Sequence, residues 1–294
     1  MDRYILGTAA LGGVFGPVDP AVSVGTVLRA LEYGFTAIDT APAYGDAELF
    51  VGKALREWRG AKPVISTKVG RLRSYASDDG RYDYHPEVME RSVSESLALL
   101  GLPNVDVLFL HDPWAVPPEQ VDAVIDQLRL FKRKGYAGRI GLGGNPPPSF
   151  AAHIDNGVFD VVMEFFRFTA INADALTDSI PKYHSLGVQP YMASPLHMGL
   201  LGRRFEEFLE SAPSWLDPAC MQKAAALRTI ASLHGISLST LAHRFVFFAP
   251  VDIKVVTGPS NLRELEETWK DILSGPLPED VVDEIRLIQQ KNVS

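Results

Sequence analysis

The chain has 294 residues, 46% of them hydrophobic and 22% charged, with a formal net charge of −8. An acidic balance argues against nucleic acid or an anionic membrane as partner, since both need clustered Lys and Arg. A single cysteine, Cys220, excludes an intramolecular disulfide and reads as an inert thiol. No apolar run approaches the roughly 18 residues of a membrane span, and Met1 to Gly7 lacks the apolar stretch of a signal peptide. The expectation is a cytoplasmic monomer or weak homo-oligomer acting on a small molecule, with no metal.

Strand-like and helix-like segments alternate along the chain. A strand from Tyr4 to Ala9 leads into Gly12-Gly13. Asp19 and Pro20 then mark a helix start, Val24, Val27, Leu28 and Leu31 form its apolar face, and Gly34 ends it. A second strand ends at Asp39 and is followed by a helix from Ala47 to Trp58. A third strand ends at Lys68. Pro86 opens a helix with Val93, Leu97 and Leu100 inward, closed by Gly101. A fourth strand ends at His111, and Pro117-Pro118 begins a helix that carries Val121, Val124, Leu128 and Phe131 and ends at Gly135. Arg139–Gly143, Asp160–Glu164, Val188–Ala193 and Ile253–Thr257 read as further strands, with a helix over Ala173–Leu186. Pro278–Gln290 reads as an extra C-terminal amphipathic helix. About eight βα units without a linker predict one domain over residues 1–294, an α/β fold closed as a (β/α)8 TIM barrel. Two long connections, Gly70–His85 and Pro195–Asp217, follow strand ends and so belong to the C-terminal face, where barrels place their active sites.

Three consecutive strands end on groups able to do proton chemistry, Asp39, Lys68 and His111, and Tyr44 follows Asp39 by five positions. Barrel closure places the three strand ends side by side. A phenol ionises near pKa ~10 and is sluggish at neutral pH. A neighbouring ammonium favours its phenolate, a carboxylate keeps that ammonium charged, and an imidazole can orient a reacting oxygen. Such a set suits carbonyl/alcohol interconversion. No side chain carries a hydride, so a nicotinamide cofactor is required. Trp114 and Phe168 fall near the rim as candidates for the substrate pocket beside Tyr44 and His111. His153, His184, His234 and His243 read as surface or core residues. A metal-dependent hydrolase built on Asp39, His111 and Asp112 is disfavoured by Lys68, whose ammonium repels a cation. A redox-sensing barrel without catalysis is disfavoured by the complete set of four.

The stretch Ile38-Asp39-Thr40-Ala41-Pro42-Ala43-Tyr44-Gly45 with Glu48 resembles the aldo-keto reductase signature. Ser66–Gly70 and Leu110-His111-Asp112-Pro113 resemble its second and third motifs. The likeness runs through Ile140–Asn145, Arg167–Thr169, Ala193–Leu201 and Val256–Asn261. It implies Tyr44 as general acid/base, Lys68 as modulator of its pKa, Asp39 as partner of Lys68, and His111 as the substrate-orienting group. It also implies a cofactor held by Gly7, Thr8, Asp39, Gly143, Asn145, Ser194, Leu196, Gly199, Gly258, Ser260, Glu264 and Thr268. Within the family the likeness is to the L-galactose, L-fucose and D-threo-aldose 1-dehydrogenases, and to pyridoxal 4-dehydrogenase, which form lactones. It therefore implies transfer of a hydride between NAD(P) and the C1 hydroxyl of a sugar or lactol. The alternative is an NADPH-dependent reductase of aldehydes. Where many NADPH-using members carry a Ser-Asn pair after strand five, this chain has Gly143-Gly144 with Asn145 one place later. Where NADPH-preferring members carry Lys and Arg for the 2′-phosphate, Gly258 and Glu264 stand here, with Arg263 adjacent. An acid at that point repels a phosphate and can accept from a ribose hydroxyl, so NAD is preferred over NADP.

Overall fold

The computed structural model describes residues 2–290. Eight strands close into a ring: β1 (Tyr4–Gly7), β2 (Ala37–Asp39), β3 (Val64–Val69), β4 (Val105–His111), β5 (Ala137–Gly143), β6 (Val161–Phe165), β7 (Gln189–Ala193) and β8 (Lys254–Thr257). All pair in parallel in chain order, and β1 closes on β8 with Tyr4 opposite Val255. This is the (β/α)8 barrel expected from the alternation. The helices are α1 (Pro20–Glu32), α2 (Ala47–Glu57), α3 (Pro86–Leu100), α4 (Val121–Arg133), α5 (Ala151–Asp155), α6 (Ser179–Ser185), α7 (Phe205–Glu210), α8 (Pro218–Leu233), α9 (Leu238–Phe247), α10 (Leu262–Leu273) and α11 (Glu279–Gln290).

Local chemistry sets several boundaries. The Asp19 carboxylate accepts from Ala21 N at 2.8 Å, with Pro20 in the first turn of α1. Gly101, at φ 70°, takes the left-handed conformation that ends α3. Strand alternation then sorts side chains by face. In β4, Val107 and Phe109 point into the barrel, while Leu108 and Leu110 point out to the helices. The interior layer is completed by Ile5, Ala37, Val161, Met163, Tyr191 and Val256. Gly141 makes room for it: a Cβ there would lie 2.9 Å from the Phe109 ring and 2.4 Å from the Val161 carbonyl. The larger core lies between strands and helices and includes Ile38, Ile65, Leu108, Leu142 and Val162.

Some elements differ from the sequence expectation. β1 stops at Gly7, and Ala9–Leu11 is a 3-10 turn. The helix expected from Ala173 begins only at Ser179, because a separate turn over Asp174–Leu176 precedes it and Asp178 (φ −110°, ψ −84°) breaks the helical path. Between β7 and β8 stand α7, α8 and α9, three helices not read from the sequence. The loop after β3 folds back on itself through an antiparallel bridge between Arg71 and Tyr82. No helix among the described residues is long and apolar enough to cross a membrane.

Candidate active site

The inward face of the barrel carries the chemistry. In β2, Ala37 and Asp39 face in; in β3, Ser66 and Lys68; in β4, Phe109 and His111. Lys68 donates to Asp39 Oδ2 at 2.5 Å and to the Thr40 carbonyl at 2.9 Å, and the pair is almost wholly buried. Ser66 donates to the other carboxylate oxygen at 2.7 Å. The Lys68 ammonium lies 4.7 Å from the Tyr44 ring centre, and the His111 ring meets that ring edge-on at 5.6 Å. The four groups named from the sequence thus share one site. Tyr44 itself sits on the loop after β2, pinned from both sides. Gly45 N donates to the Ser74 carbonyl, Arg73 donates to the Gly45 carbonyl at 2.6 Å, and Asp46 N donates to the Gly12 carbonyl.

Burial governs the protonation states. It pushes the Tyr44 phenol above its ordinary value; Lys68 opposes this and Asp39 adds to it. Sequence neighbours alone point to the Lys68 contribution, and desolvation outweighs it. For Lys68 burial pulls downward, but Asp39 and then Tyr44 more than offset it, so the ammonium is held above its ordinary value. Burial, then Lys68 and Arg71, drive His111 well below its ordinary 6.5, and its Nδ1 has no partner among the described residues. The imidazole is therefore neutral at physiological pH. Behind β3, Thr67 donates to the buried Glu48 at 2.7 Å, and burial pushes the Glu48 carboxyl upward.

A cavity of about 830 Å³ opens beside Tyr44 and Asp39 and extends to α9 and α10. Of the residues named for a cofactor, Gly7, Thr8, Asp39, Ser194, Leu196, Gly199, Gly258, Glu264 and Thr268 line it. Three lie elsewhere. Gly143 faces the barrel interior, where a Cβ would come 3.0 Å from Phe109 Cβ and 3.4 Å from Lys68 Cδ. The Asn145 amide clasps the β6 end, accepting from Phe165 N at 3.0 Å and donating to its carbonyl at 3.2 Å. Ser260 turns both its N–H and its hydroxyl onto Glu264 Oε2, each at 2.8 Å. Arg203 joins the same cluster, 3.0 Å from Glu264 and 2.9 Å from the Ser260 hydroxyl. Arg263 instead pairs with Glu267 on the exposed face of α10.

Of the two aromatic candidates, Trp114 is 56% exposed at the rim and meets the Tyr82 ring edge-on. Phe168 is 1% exposed and packs on Phe245 in the outer core, so it is a packing residue and not a pocket wall. Its neighbour Phe166, at φ 63°, stacks on His197 at 4.2 Å and on Trp215. A polar cluster next to His111 was not read from the sequence: Asp112 accepts from Arg71 at 3.1 Å and from Tyr82 at 2.8 Å. Those partners lie 41 and 30 positions away, and no local spacing announces them. His153 pairs with Asp122, His184 meets the Asp252 carbonyl, and His234 lies near Glu284, all on the outside, whereas His243 belongs to the cavity wall.

A family model described as "Aldo/keto reductase family" matches residues 3–290. L-galactose dehydrogenase of Arabidopsis thaliana is 30% identical over 89% of this chain and 81% of its own length. An NADH-specific methylglyoxal reductase of Escherichia coli is 28% identical over 68% of this chain and 65% of its own length. Among solved structures, the holo form of an aldo-keto reductase from Bacillus halodurans superposes with a TM-score of 0.77 at 21% identity, covering 99% of this chain and 93% of the other. The chain belongs to the aldo/keto reductase family and is an oxidoreductase of the NAD(P)-dependent kind typical of it.

Proposed function

We propose that the chain is an aldose 1-dehydrogenase, transferring a hydride between nicotinamide, preferably that of NAD, and the C1 hydroxyl of a sugar or lactol to give a lactone. The observation that carries the redox reading is the buried Lys68–Asp39 pair under the Tyr44 ring, with a neutral His111 beside it. Bound nicotinamide supplies the hydride acceptor. The protein supplies the proton path. In oxidation Tyr44 first releases its own proton to solvent, at a cost that Lys68 partly offsets, and the phenolate then takes the C1 hydroxyl proton. Asp39 and the Thr40 carbonyl hold the ammonium in place. His111, being neutral, offers a hydrogen bond to the reacting oxygen without competing for the proton.

Gly7, Thr8, Asp39, Ser194, Leu196, Gly199, Gly258, Glu264 and Thr268 are the residues that would hold the cofactor. The fit rests on the cavity's reach from Tyr44 to α10, and on the close approach of the β1 and β8 ends, where a Cβ on Gly7 would lie 3.0 Å from Val256 Cγ1. Gly143, Asn145 and Ser260 are not among the residues that line this cavity. Glu264 and Glu267 in the same wall are paired with Arg203 and Arg263, so the preference for NAD draws on Gly258 and Glu264 standing where a phosphate-binding Lys and Arg would be, and on the NADH-specific relative. The sugar reading draws on the L-galactose dehydrogenase relative and on the polar Arg71–Asp112–Tyr82 cluster beside His111, suited to a polyol. The methylglyoxal reductase relative supports the second reading, aldehyde reduction. Steady-state rates with both cofactors, in both directions, on a panel of aldoses and small aldehydes separate the two. Aldose oxidation with NAD is expected. Strong NADPH-dependent aldehyde reduction without aldose oxidation would overturn the assignment. Tyr44→Phe is expected to lower kcat by about 10²–10⁴-fold while leaving NADH affinity, measured by fluorescence titration, close to that of the unaltered protein.

A further inference from the structure

Glu48 is a buried carboxylate that the chemistry at Tyr44 does not use. It stands in the first turn of α2, just beyond Tyr44, and its Oε1 accepts from Thr67 at 2.7 Å. Thr67 is ladder-bonded in β3 directly before Lys68, so this carboxylate is registered to the strand that carries the ammonium. Its other oxygen lies 3.7 Å from Arg73 Nη2. Burying a carboxylate is costly unless a cation stands opposite it, and Arg73 is placed there. The same guanidinium makes a second contact. Its Nη1 donates to the Gly45 carbonyl at 2.6 Å, while Gly45 N donates to the Ser74 carbonyl at 2.9 Å. Both polar ends of Gly45, the residue after Tyr44, are therefore committed to the loop after β3. Tyr75 of that loop donates to Asp46 Oδ1 at 2.8 Å. The loop is stiffened as a hairpin: Arg71 bridges Tyr82, Leu72 N donates to the Arg81 carbonyl, and Arg81 donates to the Arg73 carbonyl at 2.8 Å. Its other flank meets Asp112, next to His111, through Arg71 and Tyr82. One hairpin thus braces the neighbours of both Tyr44 and His111.

We propose that Arg73 is a positioning residue: its guanidinium forks between the Gly45 carbonyl and the Glu48 carboxylate, and so sets where the Tyr44 hydroxyl stands relative to Lys68 and the reacting oxygen. This rests on Tyr44 as the acid/base of the proposed reaction and adds the group that places it. A guanidinium serves two acceptors in fixed directions, whereas an ammonium is a single point charge. Two contributions therefore separate. Offsetting the Glu48 charge needs only a cation; placing Tyr44 needs the fork.

The test compares Arg73→Lys and Arg73→Met with the unaltered full-length protein. Arg73→Met should lose both melting temperature and kcat. Arg73→Lys should keep a melting temperature close to that of the unaltered protein, while its kcat falls about 10- to 100-fold, as for a reacting group displaced by about 1 Å. The KM for the sugar or aldehyde, and NADH affinity by fluorescence titration, should stay within about twofold in Arg73→Lys. Amide exchange in the segment holding Gly45 and Asp46, followed by mass spectrometry, should quicken about tenfold or more in either variant. Full kcat in Arg73→Lys, a loss that falls on KM or NADH affinity instead of kcat, or unchanged exchange overturns the proposal. Should Arg73→Met not fold, Arg73→Lys carries every one of these comparisons. Turnover of neither aldoses nor aldehydes by the unaltered protein overturns the functional reading instead, and exchange in Arg73→Lys then decides the clamp on its own.

Discussion

Lys68 is an ammonium enclosed by a barrel, tolerated because Asp39, Ser66 and the Thr40 carbonyl surround its charge network. Removing one member leaves a buried charge without a counterpart, which costs about 3–5 kcal/mol. Lys68→Met should therefore lower the urea midpoint sharply, while Lys68→Met combined with Asp39→Leu should recover most of the loss, both proteins being inactive. Equal destabilisation of the single and double variants would show that the pair is not the source. The neighbouring imidazole makes a different prediction. Because burial, Lys68 and Arg71 hold His111 well below 6.5, the kcat/KM profile for aldehyde reduction should show no inflection between about pH 6 and 8. Tyr44, held above its ordinary value, keeps its proton through that range and acts as the acid. An inflection near 6.5 that disappears in a His111 variant would contradict this state.

Elements position what residues perform. The loop after β1 touches the Tyr44 loop so closely that a Cβ on Gly12 would lie 1.7 Å from the Tyr44 carbonyl oxygen. Gly12→Ala must shift one loop, and displacements near 1 Å at a reacting group cost about 10²-fold in rate. A fall in kcat/KM of about tenfold or more is expected, with thermal stability changed less than in the Lys68 variant; full activity would show that this contact does not set the Tyr44 position. The contact joins residues 32 positions apart in sequence, which is why periodicity does not reveal it. The eight strands and the α1 and α3 boundaries were legible, because apolar runs, Asp19, Pro20, Pro86 and Gly101 act locally. The convergence of Asp39, Tyr44, Lys68 and His111 was legible because adjacent parallel strands leave no freedom in where their ends fall. By contrast, α8, with its Ala-rich and weakly amphipathic sequence, gives little periodic signal. Phe168 and Phe166 differ by two positions, yet with a left-handed turn at Phe166 one stacks on His197 and Trp215 and the other is buried. Asn145 was read as a cofactor contact, but its side chain spends both polar ends on the Phe165 backbone.

At the scale of the molecule, folding holds two imidazoles neutral. His111 lies well below 6.5, and burial lowers His197 from 6.5 to about 4. As pH falls below 6.5 the unfolded chain takes up protons that the native chain refuses, so native stability is lost on that side. Each such group contributes a slope of up to about 1.4 kcal/mol per pH unit. His197→Asn, tolerated at φ 50°, should reduce the slope of unfolding free energy against pH between about 6 and 4 by one proton's worth, whatever its effect on stability at neutral pH; an unchanged slope would exclude His197 as a contributor. The closed ring has a further consequence. Asp39, Lys68 and His111 stand on ladder-bonded backbone, whereas Arg71, Tyr82, Trp114 and Trp215 hang from connections that the ladder does not bind. Reactivity and selectivity are thus inherited through separate parts of the chain. Descendants of such a scaffold can trade one set of connections for another and acquire new substrates while the redox apparatus underneath passes on unaltered.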